Sequence, residues 1–273
     1  MKIATLHEGV SLVDIDATIS QLKGLVGIGS TPSTPVFLDT ETTGTKSYVL
    51  WAQITEIAVV VLGGQPQEFN ASIALNPETT VRMAEEDQLV AAGKWPADQW
   101  TIRKVLDYNH YSGGDLGERE AVRQLSEIIT NLGNPVILAY SARFDMRFVN
   151  SRLKKYGLPP LACKVIDVYK FVKMYIEPLV NYNLEKPEFS HFKPLWDEKR
   201  KKLSYSLEKL GKVLAVPTKA SHSAVNDIKQ TIEVLRRLLE LMEQNRETYA
   251  KPEFQPFIGR SWNHWREVTR NLH

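Results

Sequence analysis

Two acidic side chains follow a short apolar stretch close to residue 40. Asp39 and Glu41 come after Val36-Phe37-Leu38, which predicts a buried strand, and before Thr42-Thr43-Gly44, which predicts a turn. Side chains alternate along a strand, so Asp39 and Glu41 project from the same face. Neighbouring carboxylates repel each other, and a hard divalent cation, which prefers carboxylate oxygens, relieves that repulsion. The pair therefore suggests a metal site, although a strand end whose acids face water has the same pattern.

A third acid, Asp145, lies at the start of a predicted helix. It follows the predicted strand Val136–Tyr140, and the helix extends over about Phe144–Tyr156. Turns at the carboxyl ends of strands are where α/β sheets hold ligand groups, so Asp145 is a candidate for the same site. By itself the position is better explained by an acid that complements the positive end of the helix dipole.

His222 and Asp227 form the last candidate group. If both residues were helical, an offset of five positions would place them about 140° apart around the axis. They converge only if His222 lies in the loop before the helix, with Ser223 as the cap, and Asp227 lies in the first turns. This arrangement would put a titrating group beside a fixed acid. A surface histidine and an acid at a helix start are the alternative interpretation.

The remaining apolar periodicity predicts the elements that must position these residues. Two strands, Gln53–Leu62 and Glu68–Leu75, follow the first one after short turns, which favours an antiparallel meander. Strands first and then alternating helices and strands indicate an α/β domain with a mixed sheet. The other predicted elements are the strand Val165–Val168 and helices near 85–92, 118–132, 169–176, 205–214 and 224–242.

Taken together, the four acids and the histidine resemble the DEDDh exonuclease family, the proofreading-exonuclease group within the ribonuclease H-like fold. The matching motifs are Asp39-Thr40-Glu41-Thr42-Thr43-Gly44, Phe144-Asp145 and the segment from His222 to Asp227. The resemblance covers about residues 35–243 and implies an α/β fold with a ribonuclease H-like mixed sheet flanked by helices. The family usually has His-Asn-x-x-Phe-Asp in the middle motif, whereas this chain has Tyr-Ser-Ala-Arg-Phe-Asp. That departure removes no metal ligand but changes side chains near the substrate.

The resemblance implies a 3′–5′ exonuclease that releases nucleoside 5′-monophosphates from single-stranded DNA ends. Two divalent cations, Mg²⁺ or Mn²⁺, would be held by Asp39, Glu41, Asp145 and Asp227, with Asp39 bridging them, and would carry out phosphodiester hydrolysis. Glu41 and Asp227 would complete one ion site, and Asp145 would act directly or through water. His222 would take a proton from the attacking water.

The resemblance also implies where the terminal nucleotide binds. By their position in the family pattern, Thr42, Gly44 and Phe144 are the candidate substrate-binding residues. Two other functions remain open: an exoribonuclease on short RNA, because a contact to the 2′-OH cannot be read from the sequence, and a non-catalytic nucleic-acid-binding or partner-binding module on the same fold. The last would be expected to have lost a metal ligand, and all four acids are present.

The domain organisation predicted from the sequence has three parts. Residues 1–34 are an N-terminal extension with a linker, and a helix within it is expected to pack on the outside of the domain. Residues 35–243 form the exonuclease domain, with an irregular insertion at about 181–202. Residues 244–273 form a C-terminal extension rich in aromatic and basic residues. Either extension is a candidate site for a protein partner, and the aromatic and basic one also for single strands.

The amino-acid composition limits the classes of protein to which this chain can belong. The chain has 273 residues, of which 43% are hydrophobic and 24% charged, as in ordinary globular proteins. Its longest apolar run, Ile57–Leu62, is too short to cross a bilayer, so no membrane association is expected. With a net charge of +2, nucleic acid would have to be bound by local basic patches. Cys163 is the only cysteine and no secretion signal precedes the domain, which predicts an intracellular, cytoplasmic location.

Overall fold

The computed structural model describes residues 15–45, 47, 51–63, 67–183, 192–200, 202–217 and 222–251. Its central sheet has the strand order β3-β2-β1-β4-β5. Strand β2 is antiparallel to β1 and β3, whereas β4 is parallel to β1 and β5 is parallel to β4. These strands are β1 (Thr34–Thr42), β2 (Ile54–Val61), β3 (Gln67–Ser72), β4 (Pro135–Ala139) and β5 (Lys164–Asp167).

Helices cover both faces of this sheet, which confirms the predicted α/β class with a mixed sheet flanked by helices. Apolar side chains of α1, α6, α7 and α8 pack on one face, and those of α4 and α5 pack on the other. The helices are α1 (Ile15–Leu25), α2 (Pro77–Ala91), α3 (Ile102–Tyr108), α4 (Glu118–Asn131), α5 (Ala142–Lys155), α6 (Val168–Asn183), α7 (Leu207–Val213), α8 (Ala224–Gln244) and α9 (Arg246–Tyr249).

The alternation along β1 decides which helix the two acids of that strand face. Val36 belongs to the apolar cluster with α4 and α5, whereas Phe37 belongs to the cluster with α8. Asp39 and Glu41 follow Phe37 at intervals of two residues, so they continue the face that α8 covers. The register of one strand thus directs both carboxylates towards the helix that carries Asp227.

The region between β3 and α4 differs from the prediction. Helix α2 begins at Pro77, well before the expected helix near residue 85, because Asn76 caps it by accepting a hydrogen bond from the Thr79 N–H at 2.8 Å. Proline is favourable at the first helical position, where an N–H would have no partner. Helix α3 was not predicted; Thr101 accepts a hydrogen bond at its start.

Both extensions contribute side chains to the core. Ile19, Leu22 and Val26 of the N-terminal region are buried in the same apolar cluster as α8, against which α1 packs. At the other end, the Tyr249 side chain is fully buried, and its hydroxyl donates to the carbonyl of Tyr175 at 2.6 Å. The division of the chain at residues 35 and 243 stays a prediction.

Part of the predicted irregular insertion at 181–202 has regular structure. Strands β6 (Trp196–Asp197) and β7 (Lys202–Leu203) form a separate antiparallel pair. The aromatic and basic residues after Lys251 lie outside the described residues, as do residues 1–14. In the described part of the chain, every helix is too short or too polar to traverse a lipid bilayer.

Candidate metal centre and the cleft beside it

Three of the predicted ligands meet where β1 and α8 pack together. Asp39 lies opposite Ala58 of β2, and Glu41 lies opposite Glu56, just before a register irregularity that ends the regular pairing. Asp227 is in the first turn of α8. One carboxylate oxygen each from Asp39, Glu41 and Asp227 lies within 4.8 Å of the other two.

Asp145 lies beside this group rather than within it. Its side chain is 2% exposed, and its Oδ1 atom accepts hydrogen bonds from the Thr40 N–H at 3.0 Å and from the Thr40 hydroxyl at 2.8 Å. Pairing between β1 and β4 extends only to Phe37 and Leu138, so the Thr40 N–H beyond it is available to Asp145. These bonds fix the first turn of α5 against the strand that carries Asp39 and Glu41.

The pKa of each of the four carboxyl groups is raised. Burial is the largest cause in each case. It raises the pKa of Asp39 well above its ordinary value, and the charges of Asp145, Glu41 and Asp227 add to this rise. The pKa of Glu41 is raised to about 8, with Asp227 as the next cause after burial. The pKa values of Asp145 and Asp227 are raised to about 7 and about 6, the former despite the hydrogen bonds from Thr40.

The residues present fit a hard divalent cation. Within the described residues, no lysine or arginine forms an ion pair with Asp39, Glu41, Asp145 or Asp227. Close carboxylates without a cationic partner are unfavourable when ionised, and a cation bound by their oxygens would offset this cost. Asp39, Glu41 and Asp227 are therefore the residues best placed to hold an ion, with Asp145 adjacent to them.

A fifth acid, Glu56, was not among the candidates from the sequence. Its Oε2 atom accepts a hydrogen bond from the N–H of Ala224, the first residue of α8, at 3.3 Å. The predicted cap, Ser223, occupies the capping position, but its hydroxyl makes no capping hydrogen bond. Burial raises the pKa of Glu56, and its charge in turn raises that of Asp39. An acid inside an otherwise apolar strand was the available signal in the sequence.

His222 lies in the loop just before α8, as convergence with Asp227 requires. Its nitrogen atoms are not part of the close group of carboxylate oxygens. The imidazole stacks on the ring of Tyr108, with the ring centroids 4.2 Å apart and the planes inclined by 28°. Glu208 lies nearby, and its pKa is lowered chiefly by a hydrogen bond from Lys212. The charge of His222 contributes to this lowering to a smaller extent.

A cleft of about 590 Å³ opens beside the acidic group. Glu41 lies on its wall, and the three predicted substrate-binding residues, Thr42, Gly44 and Phe144, line it as well. The structure therefore brings these three residues to the same cavity as one of the candidate metal ligands. Their role in binding stays a prediction.

A second part of the cleft wall carries aromatic side chains from the region between α2 and the end of α3. Trp95, Trp100 and Tyr108 line the cleft together with Asn109. Trp100 and Tyr108 are 57% and 50% exposed, and they meet edge to face with centroids 5.3 Å apart. Sequence reasoning missed this wall; two tryptophans in a polar stretch, Trp95 and Trp100, were the only signal.

Polar contacts attach this wall to the domain. The Arg82 guanidinium lies over the rings of Trp51 and Trp95, at 5.8 and 5.9 Å from their centroids. Arg82 also pairs with Glu86 at 3.1 Å, and Glu86 accepts a hydrogen bond from the N–H of Ile102 at 2.7 Å. Helices α2 and α3 are thus linked through a buried carboxylate at the base of the cleft.

A second set of contacts holds the segment that follows β1. The carbonyl of Ser47 accepts hydrogen bonds from the hydroxyl of Ser151 and from the guanidinium of Arg152, both at 2.9 Å. Arg152 is buried and lies 3.6 Å from Glu118, which also accepts a hydrogen bond from the N–H of Ile54. One buried ion pair therefore ties α4 and α5 to Ser47 and to the first residue of β2.

Comparison with known proteins gives a distant structural likeness. No family model matches the sequence, and no curated protein matches it. Among solved structures, the chain is similar to E. coli exonuclease I in complex with a dT13 oligonucleotide, with 19% identity and a TM-score of 0.48 over 80% of this chain and 43% of that one. The zinc-bound form of the E. coli exonuclease I–single-stranded DNA complex gives 17% identity and a TM-score of 0.48, with 80% and 43% covered.

A product-bound structure of exonuclease I gives 19% identity and a TM-score of 0.45 over 79% of this chain and 47% of that chain. The chain spans less than half of the length of these proteins. A likeness at this level assigns no activity, so the function has to be inferred from the side chains of the site.

Proposed function

We propose that this protein is a metal-dependent 3′–5′ exonuclease that acts on single-stranded DNA ends and releases nucleoside 5′-monophosphates. The observation that carries the proposal is the convergence of Asp39, Glu41 and Asp227 at the edge of an aromatic cleft. Carboxylates without cationic partners are suited to bind divalent ions, and such ions act on phosphodiesters in many nucleases.

The proposed ligands are the four acids that the family resemblance implies. Asp39, Glu41, Asp145 and Asp227 would hold two Mg²⁺ or Mn²⁺ ions, which when bound would supply Lewis acidity at the phosphodiester. The protein's part is to hold the carboxylates in register, through β1, the Thr40–Asp145 hydrogen bonds and the packing of α8. Because the pKa of Glu41 is raised to about 8, ion binding near neutral pH should release a proton from this group.

His222 is the proposed proton acceptor for the attacking water. An imidazole accepts protons at neutral pH, and a positioned general base contributes about 10²–10⁴-fold in rate. Support for this role comes from Tyr108, which stacks on His222 and also lies in the field of Glu41 and Asp227. Tyr108 thus links the histidine to the side of the cleft on which Glu41 lies.

The cleft walls favour an unpaired strand. Rings of Phe144 and Trp100 offer surfaces on which bases can stack, and each such stack is worth about 1–3 kcal/mol. Thr42 and Gly44 would border the terminal sugar and phosphate on the other side. Duplex ends present paired bases whose faces are already stacked, so they should be poorer substrates.

The test uses labelled single-stranded DNA, duplex DNA and RNA, each with Mg²⁺, Mn²⁺ or excess chelator. We expect mononucleotides from single-stranded DNA with either ion and none with chelator. A strand blocked at its 3′ end should resist digestion, whereas one blocked at its 5′ end should not. Faster digestion of RNA would make the protein an exoribonuclease, and cleavage of a circular single strand would make it an endonuclease.

Asp39→Asn tests the metal site in the same assay. The substitution removes a charge with little change of shape, so most activity should disappear while the melting temperature is maintained or raised. Asp98→Asn, at an exposed acid, is the control and should retain activity. Full turnover by Asp39→Asn would contradict the metal-dependent mechanism, and binding of single strands without cleavage by the wild type would favour a non-catalytic module.

A further inference from the structure

We infer that Tyr108, which lines the cleft, is a positioning residue for His222: its ring holds the imidazole by stacking. This inference rests on the proposed function, in which His222 accepts the proton from water. The centroid distance of 4.2 Å and the interplanar angle of 28° describe a stacked pair. The two residues come from elements far apart in the sequence, the end of α3 and the loop before α8.

Little else orients the His222 side chain. Within the described part of the chain, its imidazole makes no hydrogen bond and no ion pair within 4 Å. The backbone nearby is held, because Glu56 binds the N–H of Ala224 and the carbonyl of Ser223 accepts from the N–H of Asp227 at 3.0 Å. The main chain is therefore fixed at the start of α8, whereas the ring depends on its contact with Tyr108.

Tyr108 is well suited to serve as the fixed member of the pair. It ends α3, whose first residue, Ile102, is bonded to the buried Glu86 of α2. Arg103 also binds Asp87 of α2 through several hydrogen bonds of 2.6–3.1 Å. The tyrosine ring is therefore carried by a helix that is anchored at its base.

The surroundings of Tyr108 further favour the neutral form of its ring. Burial, followed by the charges of Glu208, Glu41 and Asp227, raises the pKa of its hydroxyl. A neutral tyrosine face attracts cations, so it also tolerates the charge that the imidazole gains when it accepts a proton. A ring at this position can hold His222 before and after proton transfer.

The test is a double-mutant cycle measured on a labelled single-stranded oligodeoxynucleotide at saturating Mn²⁺. Tyr108→Phe keeps the stacking face, and we expect its kcat to stay within about threefold of the wild type. Tyr108→Leu removes the face; its kcat should fall about tenfold or more, while KM changes by less than about threefold. In a His222→Ala background, the same Tyr108→Leu change should alter kcat by less than about twofold, because residues that act as a unit are not additive.

Two results would overturn the inference. An equal loss in both backgrounds, or a loss that appears in KM, would show that Tyr108 contacts the substrate directly. An unchanged kcat in Tyr108→Leu would show that the stack has no role. Tyr108 is half exposed, so the variants should fold; Mn²⁺ affinity from calorimetry and the melting temperature check that the acidic group is intact.

A second readout needs no nuclease activity. The ring current of Tyr108 should shift the imidazole proton signals of His222 in NMR spectra, with His222→Ala identifying the signal among the 6 histidines. The shift should persist in Tyr108→Phe and disappear in Tyr108→Leu; an unshifted signal in the wild type would refute the stack in solution. A wild type without nuclease activity would refute the proposed function, and the NMR result would still decide whether the pair forms.

Discussion

Replacing Glu41 by glutamine should make the metal-free protein more stable while it removes activity. In the folded protein the pKa of this carboxyl is raised from 4.5 to about 8, chiefly by burial and then by the charge of Asp227. Folding therefore takes up a proton between these two pH values. Below this window the group is protonated in both states, and as the pH rises through it the folded state loses stability relative to the unfolded state.

The magnitude follows from the shift. A pH of 7 is about 2.5 units above the unfolded pKa of this carboxyl, which at about 1.4 kcal/mol per unit gives an upper value of about 3.5 kcal/mol. Glu41 is partly exposed, so solvent screening reduces this figure to about 1–3 kcal/mol. For a chain of this size we expect the melting temperature of Glu41→Gln at pH 7–8 to rise by about 2–10 °C.

Thermal melts in chelator from pH 4 to pH 8.5 provide the assay. The wild type should lose stability as the pH rises, Glu41→Gln should lose less, and the two curves should meet near pH 4. Added Mn²⁺ should stabilise the wild type much more than the variant. Glu240→Gln, at an exposed acid in a surface ion pair, is the control and should shift stability by less than about 0.5 kcal/mol. A variant no more stable than wild type at pH 8 would refute the unpaired-carboxylate account of this site.

Three further predictions concern catalysis, the core and the C-terminal extension. His222→Ala should bind Mn²⁺ nearly as tightly as wild type but react about 10²–10⁴-fold more slowly at saturating metal; a wild-type rate would exclude His222 as the base. Arg152→Ala should lower the free energy of unfolding in urea by about 3 kcal/mol, because the buried Glu118 loses its nearer cationic partner and keeps only Lys155 at 3.9 Å; a loss below about 1 kcal/mol would mean that water reaches the pair. Truncation after Lys251 leaves the buried Tyr249 in place and should weaken the binding of long single strands more than it slows cleavage of a dinucleotide. If the full-length and truncated proteins bind long strands with equal affinity in fluorescence anisotropy, the extension is a packing or partner surface.

The local parts of the site could be read from the sequence because they depend on short-range periodicity. Strand alternation alone places Asp39 and Glu41 on one face, and β1 has them there. The helical pattern after residue 224 places Asp227 in the first turn of α8, with His222 in the loop before it. The mixed sheet also followed from the order of strands and helices.

The tertiary structure alone decided the contacts between elements that are distant in the chain. Glu56 reaches the start of α8, Thr40 binds Asp145, and Tyr108 stacks on His222. None of these pairs has a periodic signature, because each depends on how a whole helix docks on the sheet. That docking is set by burying entire apolar faces, such as those of α8 and α5, and the polar and aromatic contacts at the helix ends follow from it. The sequence therefore determined which residue types stand on each element, and the packing of those elements determined their partners.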